Sequence, residues 1–275
     1  GAIWVFTNCT PPVISDLSPA TQLLAQYATS AAVTVTATGT SLSYQWYSSG
    51  STNNFGGASL GSADGAQTNT YTPPPTDYGT RYYYCVVTSS CGADTSETAA
   101  VTVTKNTWTG NVSTQWDVAG NWLLNTVPLG YEDIIIPTGA PRYPVLTGFT
   151  SAGGVELQFG ATITIGDNTL NIGGIQGLGT ITGSPLSRLL VSPVNSSFDM
   201  LYFTPGAQVL KDLVVGINTV NLLSPLTITG GTTTSAAGTV TIVPGASLNT
   251  FGNLTLQSSQ YGTASIAANT SGSSY

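Results

Sequence analysis

The sequence predicts an all-β protein, a two-sheet sandwich followed by a parallel β-solenoid, and three observations carry that expectation. Residues 11–104 read as short strands of alternating apolar and polar residues with turn signals between them. From Lys105 onward the chain becomes a series of short β-runs broken by Gly and Asn, in which a Gly-Ala element returns at Gly160, Gly206 and Gly245. No stretch of useful length carries the 3.6-residue periodicity of a helix. At 275 residues there is enough chain for two domains whose cores need no staples.

In the first region AVTVTATG, residues 32–39, sets Val33, Val35 and Ala37 on one face and threonines on the other. LSYQWYSSG, residues 42–50, does the same with Leu42, Tyr44 and Trp46. A Gly/Ser/Asn-rich loop leads to YTPPPTDYGTRYYYCVVTSSCG and then to ETAAVTVT. Period-2 strands at this spacing predict an antiparallel sandwich. In the second region VELQFGATITIGDNTLNIGG and GTVTIVPGASLNTFGNLTLQSS are typical, and L-x-I-x-G occurs at Leu170 and Leu226. The Gly-Ala intervals are irregular, so the repeat is degenerate. A strand-turn-strand unit that cannot cover its own apolar face must stack on its neighbours, most simply as a right-handed parallel β-helix, and an elongated molecule is expected. The expected divisions are a strand or tail at 1–10, the sandwich at 11–104 and the solenoid at 105–275. Lys105-Asn106 leaves almost no linker, which predicts a stiff junction.

Composition excludes several functions. Charged residues make up 6% of the chain, against about 25% in an ordinary globular protein. Thr, Ser, Gly, Asn, Val and Leu fill the space, as in a β-rich extracellular protein surfaced with hydroxyls and amides. No apolar run approaches the roughly 20 residues of a bilayer-spanning helix, so membrane insertion is not expected. The net charge of −7 comes from twelve acids and five scattered bases, Arg81, Lys105, Arg142, Arg188 and Lys211. Nucleic-acid binding needs clustered cations to neutralise phosphates, and there is no cluster.

Several motifs carry a resemblance. YQWY, then YTPP, then DYGTRYYYCVVTSSCG resembles the immunoglobulin-like repeats strung along bacterial surface adhesins. The resemblance makes Trp46 the tryptophan of the third strand, and puts Tyr83 at the tyrosine-corner position two residues before Cys85. The chain departs from antibody-type domains in offering Val33 or Val35 where the first inter-sheet cysteine would stand. Cys85 is then expected to be a buried thiol acting as a small apolar residue. Cys91 follows that strand and Cys9 precedes the first one; in such a sandwich both places lie at one end, so a Cys9–Cys91 disulfide is expected. TWTGNVSTQWDVAGNW, VPLGYEDIIIP and GATITIGDNTLNIGG are similar to modules of very long cell-surface proteins exported by the type IX secretion pathway of gliding Gram-negative bacteria. That resemblance implies an extracellular, outer-membrane-attached adhesin or filament component. GAIWVF has no basic leader segment and ANTSGSSY no closing element, so the chain is expected to be a fragment of something longer.

Three of the five tryptophans, Trp108, Trp116 and Trp122, fall within sixteen residues at the start of the solenoid. The open first rung of a solenoid needs an atypical terminal unit. The cluster therefore reads as a cap over residues 105–137, with Gly110 and Gly120 permitting turns and Asp117 and Asn121 satisfying backbone groups. The competing reading is an aromatic platform for sugar rings. Ile3, Trp4, Val5 and Phe6 are apolar on both faces of any strand they form, so they are expected to add as a strand to this sandwich, a neighbouring module or another copy.

An active site is not expected. Histidine is absent, which removes the common nucleophile triads. The solenoid acids are Glu132, Asp133, Glu156, Asp167, Asp199 and Asp212. Only the first two are adjacent, and in an extended run they face opposite ways. Cysteine spacing does not suit zinc and no GGxGxD repeat suits calcium, so no catalytic residue, metal or cofactor is assigned. The Asn-x-Ser/Thr sequons, as at Asn111 and Asn253, read as chance matches in a bacterial chain. The expected function is a structural, adhesive surface protein, a stalk or filament component making weak multivalent contacts with glycans or abiotic surfaces. Its expected partners are copies of itself or neighbouring modules. The alternative is a carbohydrate-binding module or polysaccharide-active β-helix enzyme using Tyr131, Tyr143 or Tyr202 beside a carboxylate.

Overall fold

Alternating apolar side chains can be buried only if two sheets face each other, and residues 11–104 do this in the computed structural model of the protein. The structure describes residues 9–62, 64–192, 199–216, 219–234, 239–242, 246–250, 253–256 and 265–268. The chain divides into two compact units, Gly1–Thr104 and Lys105–Tyr275. Among the described residues all regular structure is β, apart from one 3₁₀ turn at Ala119–Asn121.

In the first unit one sheet orders Val13–Ser18, Val33–Thr38 and Thr70–Tyr71. The other orders Thr21–Leu24, Ala99–Val103, Gly79–Ser89, Ser43–Ser49 and Ala58–Ser59, with Gly92–Thr95 closing a hairpin on the long Gly79–Ser89 strand. Pairing is antiparallel except where Thr21–Leu24 runs parallel to Ala99–Val103. The two sheets pack face to face as a β-sandwich. Val33 and Val35 from one sheet meet Trp46, Tyr83, Cys85 and Val87 from the other in a single buried cluster. Trp46 is fully buried, and its indole Nε1 donates to the Thr68 carbonyl at 2.9 Å, so the polar end of the ring is satisfied.

In the second unit parallel strands stack as successive turns of a β-solenoid of about five turns. The main ladder runs through Asn106–Thr107, Ile134–Ile136, Thr150–Leu157, Thr169–Gln176, Arg188–Val191, Val209–Val215 and Leu226–Thr234. Two shorter ladders flank it: Thr162–Thr164 with Thr180–Thr182, and Asp199–Leu201 with Thr219–Leu222, Thr239–Ile242 and Ser265–Ala268. Inward residues stack on their register partners: Leu170 beside Leu189 beside Leu213, Ile172 beside Val191 beside Val215. All six are within 1% of complete burial. The hydrophobic contribution is therefore spread along the stack, at roughly 1.5–3 kcal/mol per fully buried aliphatic side chain.

Candidate functional site

The tryptophan cluster begins with a chain reversal. Trp108 and Trp122 form an isolated antiparallel bridge, and Trp108, Trp116 and Trp122 are 0%, 3% and 2% exposed. The ring of Trp122 meets Trp108 edge-on at 5.1 Å and Trp116 at 4.9 Å, the geometry that sets a ring's positive edge against its neighbour's negative face. Trp108 Nε1 donates to the Arg142 carbonyl at 2.7 Å, and Trp122 Nε1 donates to the Trp116 carbonyl at 2.8 Å. All three rings share one core cluster with Ile134 and Ile136 of the first full rung. No ring face is left for a sugar.

The loops around the rings are tied by one side chain. Asn121 is fully buried; its Oδ1 accepts from the Val112 and Ser113 N–H groups, and its Nδ2 donates to Ser113 Oγ and the Gln115 carbonyl. Asp117, expected to share this task, is exposed instead. Gly110 sits at φ +60°, where a Cβ would collide with the Arg142 carbonyl, so the turn requires glycine. Asn106, also fully buried, donates to the Thr126 carbonyl and accepts from the Leu124 N–H.

The acids hold backbone N–H groups, a serine hydroxyl or a basic side chain of the fold. Glu132 is 7% exposed and takes the Leu129 N–H at 3.2 Å; burial pushes its carboxyl above the usual range. Asp133, just before Ile134–Ile136, takes the Gly154 N–H at 2.6 Å. Asp199 is fully buried and takes the Ile175 N–H at 2.6 Å. Asp212 pairs with Arg188 on the neighbouring rung at 2.8 Å, Glu156 pairs with Lys105 at 3.4 Å, and Asp167 accepts from Ser184 Oγ. Among the described residues no three of Cys, Asp and Glu gather where they could hold a metal ion.

Of the tyrosines named for a carbohydrate site, Tyr131 is 58% exposed. Tyr143 instead packs against the solenoid core and accepts the Gly139 N–H through its hydroxyl. Tyr202 is half-buried between Leu201 and Phe203.

Sequence reasoning treated the hydroxyl-rich faces as a whole and missed one ordered row. Thr162, Thr182 and Thr204 stand on successive rungs, with Oγ1 separations of 3.4 and 2.9 Å, and Thr204 also donates to Thr180 Oγ1 at 3.0 Å. The backing residues Ile163, Ile181 and Phe203 are all buried. The signal was present as two Thr-Ile-Thr triplets, at 162–164 and 180–182. Thr162 is in register with Thr180 and Thr164 with Thr182, so the Thr162–Thr182 contact crosses diagonally between rungs. The threonines form a two-column patch, with rungs about 4.8 Å apart and alternate residues along a strand about 6.6 Å apart.

In the first unit, Cys9 and Cys91 are disulfide-bonded with their Cα atoms 5.9 Å apart. Cys85 is free and fully buried, and burial pushes its thiol to about 11. Tyr83 is buried, and among the described residues no hydrogen bond runs from its hydroxyl to upstream backbone as in a tyrosine corner. Ile3, Trp4, Val5 and Phe6 lie outside the described residues.

A family model described as a domain of unknown function (DUF8696) matches residues 17–105, so the sandwich is similar to that domain. None of the curated proteins compared with the chain matches it.

Proposed function

We propose that the protein is an extracellular structural and adhesive component of a bacterial cell surface, acting as a stalk or filament segment that makes weak, repeated contacts. The observation that carries this reading is the threonine row across three rungs, held on rigid strands by Ile163, Ile181 and Phe203. A single hydroxyl contact contributes about 1 kcal/mol net, too little to hold a ligand alone. Many such contacts, presented together on one chain and again on neighbouring modules, add through effective concentration. The complementary ligand is an extended surface dense in hydroxyls, a polysaccharide or a hydrated mineral.

Three further features support the reading. The Cys9–Cys91 disulfide is chemistry of an oxidising compartment. Trp46, Trp108, Trp116, Trp122 and several carboxylates are engaged in holding the fold, which leaves little for a polysaccharide-active enzyme. The resemblance of the tryptophan segment to type IX-exported surface modules implies the same setting.

Beads bearing many copies of the chain provide the test, measured on cellulose, chitin and silica beside the free monomer. Thr162→Val, Thr182→Val and Thr204→Val together keep shape and remove three hydroxyls. The expected result is bead adhesion lowered about tenfold or more, with circular dichroism unchanged. Equal adhesion of the triple variant would reject this face as the contact surface. Soluble fragments released from the polysaccharide would instead indicate the enzymatic alternative.

A further inference from the structure

The sandwich carries a pocket that opens to solvent at one side. Its volume is about 240 Å³, and its walls include Leu60, Tyr71, Asp77, Arg81, Tyr83 and Val101. Tyr71 and Tyr83 come from opposite sheets, are 6% and 4% exposed, and lie with ring centroids 5.5 Å apart. Neither phenol hydroxyl has a hydrogen-bond partner among the described residues. Both hydroxyl oxygens therefore keep contact with solvent, since Thr109 Oγ1 is the one fully buried side-chain oxygen or nitrogen left without a partner among the described residues. Here both hydroxyls open on the cavity.

We propose that this cavity is a binding site for a neutral, single-ring polyhydroxylated ligand, a monosaccharide or the terminal residue of a glycan. Four properties of the walls select that class. The volume lies below the roughly 300–1,000 Å³ typical of drug-sized ligand pockets, which limits the enclosed part to one ring. Leu60 and Val101 give apolar wall suited to the C–H face of a pyranose, and the two tyrosine rings add aromatic surface. The phenols each offer one donor and one acceptor, matching ring hydroxyls; a flat aromatic hydrocarbon would leave them unpaired. Asp77 and Arg81 sit 3.9 Å apart, both largely exposed, so they supply an acceptor and a donor with no net charge, which favours a neutral diol over an anion or a cation. Burial holds the Tyr71 phenol up at about 12, so it stays a neutral donor and acceptor at any physiological pH.

This goes beyond the adhesive reading. It concerns a discrete, saturable site in the first unit, and it stands even if the solenoid adheres to nothing.

The test titrates the full chain with a panel of neutral monosaccharides: glucose, galactose, mannose, fucose, xylose and N-acetylglucosamine. Saturation-transfer NMR reads the sugar and protein chemical shifts read the site. The expected result is weak saturable binding of at least one sugar, with shifts confined to residues around Tyr71 and Tyr83. Tyr71→Phe and Tyr83→Phe, which remove only the hydroxyls, should each weaken it about tenfold. Asp77→Asn, at an exposed position that cannot disturb the core, should also weaken it. Chemical shifts confined instead to the Thr162, Thr182 and Thr204 face would place the binding on the solenoid and overturn the proposal. No binding by any sugar in the panel overturns the proposal, and so does binding that both Phe variants and Asp77→Asn leave unchanged.

Discussion

Glu132 folds its carboxylate back onto the Leu129 N–H in a setting that leaves 7% of the residue exposed. Burial raises its pKa, and the Leu129 hydrogen bond opposes that shift without cancelling it. A carboxyl whose folded pKa exceeds its unfolded one binds its proton more tightly in the folded state. Its contribution to stability is then fully present below the unfolded pKa, about 4.3, and is lost as pH rises through the folded value. Glu132→Gln keeps an oxygen for the Leu129 N–H and cannot ionise. The variant should be more stable than the parent at neutral pH, with the difference closing as pH falls through the carboxylate range. Urea titrations at about pH 7 and about pH 4 measure it; a gap of the same size at both would show that the buried charge costs nothing. Cys85 illustrates the opposite economy. It fills the place of a small aliphatic residue in the sandwich core, and its raised pKa keeps it a thiol.

At the scale of the strand, register decides what each side chain contributes. Leu189 lies between Leu170 and Leu213 on the rungs to either side and is fully buried, whereas Leu186, three residues earlier, is 56% exposed at a turn. Leu189→Ala should cost about 2–5 kcal/mol, since rungs held on both sides cannot collapse onto the vacated space. Leu186→Ala should stay within about 0.5 kcal/mol. Comparable losses from the two in thermal unfolding would mean that the stack is loosely packed. The same pair of units shows why the sandwich was more legible than the solenoid. Val33, Val35 and Trp46 declare their buried face by strict alternation, because each strand is covered on one side by the facing sheet. The solenoid rungs are set by register partners above and below, 18–28 residues away in sequence, with turns of varying length between. The Gly-Ala elements that marked the repeat are not equivalent positions: Gly160 precedes the threonine face that starts at Thr162, while Gly206 follows it after Thr204. They caught the kind of repeat and missed its period. The Tyr71–Tyr83 cavity was illegible for another reason. It depends on which sheet each tyrosine joins and on two phenols facing the same opening, and neither is a local property of the chain.

On the scale of the whole molecule, electrostatics has little to do with holding the chain together. Only three ion pairs occur among the described residues, and all but one of their side chains are a third or more exposed, where such pairs contribute about 0–1 kcal/mol. Stability rests on two separate apolar clusters, one per unit. The sandwich is the smaller unit, and it alone carries a covalent closure, joining Cys9 to Cys91 across 82 residues. A loop of that length removes about 4 kcal/mol of chain entropy from the unfolded state. That is a large share of the 5–15 kcal/mol a domain of this size commands. The solenoid core contains none of the residues that the disulfide constrains. Reduction, or Cys9→Ser with Cys91→Ser, should therefore lower the unfolding transition of the sandwich, by about 10 °C or more, and leave that of the solenoid where it was. Near-ultraviolet circular dichroism can follow both, because Trp46 reports on the first unit and the Trp108–Trp116–Trp122 cluster on the second. If the sandwich transition does not move on reduction, the clusters alone hold it and the covalent closure adds nothing to equilibrium stability. If both transitions move together, the units unfold as one cooperative body despite their separate cores.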